Sequence, residues 1–201
     1  MAEAKDPGAD RSSAAAPGLS AAARQWLLSW ARAVMQQAVE KKRPPEPPSP
    51  VPAEVEEKRG CFVSLHTAEG GLRGCIGTFE ESRPLWQTVS EMAAAAATRD
   101  PRFDPVTPVE LTSCVVEISA LTPLQPAKPD QIVVGRDGIC VGRGYHRGVL
   151  LPQVATEYGW DRETFLDHTC MKAGLPADAW RDGSVTIETF RADVFSEEES
   201  G

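Results

Sequence analysis

The sequence predicts an α+β fold with a mixed or antiparallel sheet and flanking helices. Three observations predict it. Two strand-like segments, Cys61–His66 and Leu72–Thr78, are separated by five residues that contain Gly70-Gly71, the spacing of a hairpin. Helical and strand-like segments follow one another in irregular order, without the strand–helix alternation of a doubly wound parallel sheet. The chain has 201 residues, 41% hydrophobic and 25% charged, which is enough to bury a core and ordinary for a soluble protein.

Residues 1–18 are Ala, Gly, Ser, Pro and scattered charge without period, the composition of a disordered tail. A single domain is expected over 19–197, divided into an N-terminal helix (19–43), a Pro-rich spacer (44–58) and a core (59–197). In the helix, Leu19, Ala23, Trp26, Leu27, Trp30, Val34 and Ala38 recur at three- and four-residue spacing. Ser20 is its N-cap, and Lys41, Lys42 and Arg43 suit its negative C-terminal end. Pro44 to Pro52 holds six prolines in nine residues, a stiff polyproline spacer.

The hairpin Cys61–His66/Leu72–Thr78 follows. Pro84 opens a helix to about Thr98, with Leu85, Val89, Met92, Ala93 and Ala96 buried. Asp100 to Pro108 reads as an ordered loop with three X-Pro brakes, and Cys114 to Leu121 as a strand. Gln131–Val134 and Ile139–Val141, around Arg136-Asp-Gly138, read as a second hairpin. Val149–Leu151 is a short strand. A helix runs from Pro152 through Glu157 and stops at Gly159; Asp161 caps another, Arg162 to Ala173, stopped by Gly174. Ser184 to Phe195 alternates as one last strand.

Composition removes several function classes. Acidic residues outnumber basic ones 29 to 21, for a net charge of −8, so an electrostatic nucleic-acid binder is a poor default. No stretch is long and apolar enough to span a membrane, and no secretory h-region is present. Five cysteines with no CxxC pair suggest reduced thiols in a cytoplasm. His66, His146 and His168 lie far apart, and His168 and Cys170 point about 200° apart on their helix, so no metal site is expected.

The chemistry concentrates in two segments. In Leu72-Arg-Gly-Cys-Ile-Gly-Thr78, Arg73, Cys75 and Gly77 share one face of a strand. Arg73 can favour the Cys75 thiolate and contact an anion, while Gly74 and Gly77 leave backbone bare for a ligand. Cys75 is therefore the candidate nucleophile. In the second segment, Gly144 to Gln153, Arg147 is a cation, and Gln153 lies in the first turn of a helix whose amides can meet an anion. Both segments are expected to line one cleft. His66 is the nearest base in sequence. The five loop residues favour His66 opposite Leu72, a register that points its ring away from Cys75.

The same segments, in one order, resemble a known family. Arg59-Gly-Cys-Phe-Val63, Leu72–Thr78, Asp100-Pro-Arg-Phe103, Gly148-Val-Leu-Leu-Pro-Gln-Val-Ala155, Glu157-Tyr-Gly-Trp-Asp161 and Lys172-Ala-Gly-Leu-Pro176 are similar to the AMMECR domain family, called AmmeMemoRadiSam system protein A in prokaryotes. The resemblance spans roughly Leu19 to Glu197. It implies a larger and a smaller lobe with a cleft near the Leu72–Thr78 strand, and association with Memo-type and radical SAM proteins. It implies no established reaction. Two functions compete: a cleft enzyme or enzyme accessory using the Cys75 thiolate on a small anionic substrate, or a non-catalytic regulatory protein binding a peptide, a nucleotide or a partner.

Overall fold

A computed structural model describes residues 18–198. The expected disordered tail lies, apart from Gly18, outside the described residues.

Helix α1 (Ala21–Val39) starts where the sequence places it, the Ser20 hydroxyl accepting from the Ala23 amide at 3.2 Å. It stops short of the lysines, because Lys41 takes a left-handed conformation (φ 55°). The Pro-rich stretch carries no regular structure before a short 3-10 turn at Ala53–Glu56. Strands β1 (Cys61–His66) and β2 (Leu72–Thr78) form the expected hairpin. Helix α2 (Leu85–Thr98) is as expected, and a one-turn helix α3 (Pro108–Leu111) is added by a capping box, Thr107 and Glu110 satisfying each other's free amides. Strand β3 (Val115–Leu121) pairs with β1.

The second half departs from expectation in two places. Residues 131–134 form no strand: the Asp137 carboxylate folds back to accept from the Val133 amide at 2.9 Å, and the Asp137 amide donates to the Val133 carbonyl. That closes a turn rather than a hairpin. The hairpin instead joins β5 (Gly138–Arg143) to β6 (His146–Leu150), turning at Gly144 with φ 61°. The expected last strand is two strands in different sheets. β7 (Thr186–Phe190) pairs with β5 and with the two-residue β4 (Gln125–Pro126), whereas β8 (Ala192–Ser196) pairs with β3. The chain crosses between sheets at Arg191, whose amide the Thr122 hydroxyl accepts at 2.8 Å. Helices α4 (Pro152–Glu157) and α5 (Arg162–Lys172) follow their expected signals, with Asp161 capping α5.

The result is an α+β fold of two four-stranded antiparallel sheets, ordered β2-β1-β3-β8 and β4-β7-β5-β6. Each buries one face under helices. Cys61, Val63 and Leu65 of β1 pack in a core with Leu27, Leu28, Val89 and Met92 from α1 and α2. Ile139 and Val141 of β5 pack with Phe165, Leu166 and Cys170 of α5. The opposite faces meet through a ladder of rings, Phe62 to Phe79 at 5.0 Å and Phe79 to Phe190 at 5.4 Å. Among the described residues, no helix is long and apolar enough to cross a membrane.

Candidate functional site

Cys75 lies on β2, the outer strand of the first sheet. Such a strand has backbone groups with no neighbouring strand to bond. Here the Asp100–Phe103 loop closes the edge. The Cys75 amide donates to Asp100 Oδ2 at 2.8 Å, and its carbonyl accepts from Arg102 Nη2 at 3.1 Å. Asp100 also accepts from the Arg102 amide, Nε and Nη2, and its side chain is only 2% exposed. The Arg102 guanidinium, followed by the Cys75 and Arg102 amides, holds the Asp100 carboxyl well below the usual carboxylate range.

The side-chain face around Cys75 follows from register. Cys75 is opposite Ser64, which on its other side is opposite Glu117. Directly opposed residues of antiparallel strands share a face, so Cys75, Ser64 and Glu117 form a row on the side turned away from α1 and α2. His66 is opposite Leu72, as expected, but the expectation built on that register fails. Arg73 is skipped in the ladder between Leu65↔Gly74 and His66↔Leu72, a β-bulge that puts two residues of β2 against one of β1. β1 itself alternates without a break against β3, so His66 keeps the face of Ser64, and therefore of Cys75. His66 Nε2 is buried without a hydrogen bond and lies 3.7 Å from Glu117 Oε1.

Cys75 is also the only one of the five cysteines that is not buried. Burial pushes the Cys61, Cys114, Cys140 and Cys170 thiols up, which keeps them protonated at neutral pH.

The other residues of the first segment have structural neighbours. The Arg73 guanidinium binds both oxygens of Glu110, donates to the Asp104 carbonyl at 2.9 Å and lies over Phe103. Its charge is therefore matched within the protein by Glu110. Nor is the backbone bare beside the glycines. A Cβ at Gly74 would stand 2.4 Å from the Ala96 carbonyl oxygen of α2, and one at Gly77 would stand 2.2 Å from the Phe62 ring. Close packing occupies the space a ligand would need on those sides.

In the second segment, Arg147 is exposed, and its Nε donates to Cys140 Sγ at 3.1 Å. It borders a cavity of about 680 Å³ between the sheets, together with Phe79, Glu80, Leu124 and Val149. The segment after β2, rather than β2 itself, thus meets Arg147 in that cavity. Cys75 and Gln153 are not among its lining residues. Gln153 is exposed at the start of α4. Arg73 and Arg102 are ion-paired on the first sheet, whereas Arg143 and Arg147 lie on the second, so these arginines build no single basic face. Among the described residues, no group of three or more His, Cys, Asp or Glu side chains is placed to hold a metal ion.

Ser64 and Glu117 escaped the sequence reading. Ser64 was legible from alternation with His66. Glu117 joins only through a pairing of strands some fifty residues apart, which no local pattern reports.

A family model described as AMMECR1 matches residues 28–195. A Methanocaldococcus jannaschii protein, MJ0810, is 49% identical over 156 residues, covering 74% of this chain and 78% of its own length. A Thermococcus gammatolerans protein is 44% identical over 184 residues, covering 87% and 90%. The crystal structure of uncharacterized protein PH0010 from Pyrococcus horikoshii is similar with a TM-score of 0.75 at 41% identity, covering 87% of this chain and 92% of that one.

Proposed function

The chain belongs to the AMMECR1 family, and we propose that it is a cleft enzyme or enzyme accessory whose reactive group is the Cys75 thiol. The observation that carries this reading is the juxtaposition of the one cysteine that is not buried with Ser64, His66 and Glu117 on a single sheet face. His66 is the diagonal neighbour of Cys75, at the roughly 7–8 Å such pairs have, within reach of an imidazole. With Nε2 turned to Glu117, the other ring nitrogen is the proton acceptor for Cys75 Sγ. Glu117 then stabilises the imidazolium, and the thiolate adds to an electrophilic carbon of a small substrate. An anionic group on that substrate falls to Arg147 at the interlobe cavity, since Arg73 is held by Glu110. Association with Memo-type and radical SAM proteins belongs to the same proposal, and co-purification from cells tests it.

One observation favours the competing, non-catalytic reading. Gly74, Gly77, Asp100 and Arg102 all have packing or hydrogen-bonding roles around Cys75 that require no reaction.

Alkylation separates the two. Native protein treated with iodoacetamide at neutral pH and digested for mass spectrometry is expected to carry label at Cys75 first. The four buried, protonated thiols should lag by about a hundredfold until denaturant is added. His66→Gln should slow Cys75 labelling severalfold with the circular dichroism spectrum unchanged. A Cys75 that takes label only on unfolding, or labels at the same rate in His66→Gln, would leave the binding reading in its place.

A further inference from the structure

A second cavity, of about 450 Å³, lies on the open face of the second sheet. Register assembles it. Cys140 is opposite Val149 on β6 and Glu188 on β7, and Gly142 is opposite Arg147 and Thr186. Cys140, Gly142, Arg147, Thr186 and Glu188 therefore share one face. It is the face turned away from α5, because Gly148, one residue out of phase, packs on α5: a Cβ there would stand 2.5 Å from the Thr169 carbonyl oxygen.

The floor of this groove is made of small residues, Gly142 and Cys140, and its lining carries two arginines, Arg143 and Arg147, and one carboxylate, Glu188. Arg147 on β6 reaches onto the neighbouring β5 to donate to Cys140 Sγ at 3.1 Å, which fixes its guanidinium over the floor. Glu188 stands on the other side, on β7. Both charges act on the Cys140 thiol: burial raises it most, Arg147 pulls it down and Glu188 pushes it up. Yet no carboxylate lies within 4 Å of Arg147, and no cation within 4 Å of Glu188, among the described residues. Several other arginines are matched to carboxylates, as in Arg24–Asp193, Arg73–Glu110 and Arg102–Asp100, whereas Arg143, in the same groove, donates to the Ser184 hydroxyl at 3.1 Å. The Thr186 hydroxyl donates to the Gly142 carbonyl at 3.1 Å, which leaves its oxygen free to accept.

A simple cation entering this groove meets the repulsion of Arg147 and Arg143, and a simple anion leaves Glu188 unmatched. A molecule that carries both charges on a short linker satisfies both sides and offers its ammonium a further acceptor at Thr186. We propose that the groove binds a small zwitterion, its acid group on Arg147 and its ammonium on Glu188. The proposal needs no chemistry at Cys75, but it uses Arg147, the side chain also proposed to meet the anionic group of a Cys75 substrate, so the two ligands would compete for that guanidinium.

Titration of the ¹⁵N-labelled full chain, followed by amide shifts, tests it. The probes are β-alanine, γ-aminobutyrate and phosphoethanolamine, with butyrate and butylamine as single-charge controls at matched ionic strength. At least one zwitterion is expected to give saturable shifts at Gly142, Gly144 and Thr186, and to bind roughly tenfold more tightly than either control. Arg147→Gln and Glu188→Gln should each erase that preference, and Arg147→Lys should keep part of it, while resonances of the first sheet stay in place. Saturation by no zwitterion would overturn the proposal, as would controls that bind equally well or a preference that survives both Gln substitutions.

Discussion

Replacing Asp100 by alanine is expected to cost about 3 kcal/mol of stability, the loss of several hydrogen bonds to a charged acceptor. For a domain of this size that is a fall in Tm of roughly 6–12 °C. The cause is concentrated in one carboxylate. Asp100 accepts the Cys75 amide at 2.8 Å and three donors of Arg102, so its removal opens the outer edge of β2 at Cys75 itself. Arg102 is half exposed and rehydrates, but the Cys75 amide loses its only partner. The same group sets a pH dependence. Arg102 depresses the Asp100 carboxyl, and Arg73, then the Thr107 amide, depresses that of Glu110. A carboxyl whose value is lower in the folded chain stabilises the fold at every pH above its unfolded value, about 3.9 for Asp and 4.3 for Glu. That stabilisation drains away as pH falls further, towards the folded values. The urea midpoint is therefore expected to be flat from about pH 7 to 5 and to decline steadily from about pH 4 downward, with a shallower decline in Asp100→Asn. An acid limb of equal slope in parent and variant would show that the Arg102 pair contributes nothing.

Local elements were legible wherever a cap or a breaker marked them. Ser20, Pro84, Pro152 and Asp161 open helices, and Gly159 and Gly174 follow the ends of others. Each signal acts within one turn of chain, so sequence alone carries it. Two failures came from hydrogen bonds that the local composition does not report. Arg136-Asp-Gly138 has hairpin composition, yet the Asp137 side chain finds Val133, Arg136 and Arg191 instead, and the ladder forms one segment later. Residues 184–195 alternate without interruption, but the two halves bond to β5 and β3, an assignment that tertiary pairing alone decides. The candidate site divides in the same way. Cys75 stood out by residue type and neighbours. Its relation to His66 did not, because a single bulged residue, Arg73, reverses what register alone implies.

Gly74→Ala is expected to destabilise the protein by about 3 kcal/mol, the opposite sign from most glycine replacements in strands. Ordinarily alanine stabilises such a position, because it removes conformational freedom from the unfolded chain. Here its Cβ would stand 2.4 Å from the Ala96 carbonyl oxygen and 3.3 Å from the Ala96 carbonyl carbon. Both are backbone of α2, so no side chain can rotate away. α2 is held from its other side by α1, through a core that includes Leu27, Leu28, Val89 and Met92, and β2 is held by β1 and by Asp100. The clash is therefore relieved only by sliding β2 outward, which strains the bonds at Cys75. Gly71→Ala is the control: its Cβ would approach only the Thr67 hydroxyl, at 3.4 Å, and should change stability by less than about 0.5 kcal/mol. Urea unfolding of the two variants decides the matter. A Gly74→Ala protein as stable as Gly71→Ala would mean that β2 does not rest on α2 at that spacing, and the bare backbone beside Cys75 would again be open to a ligand.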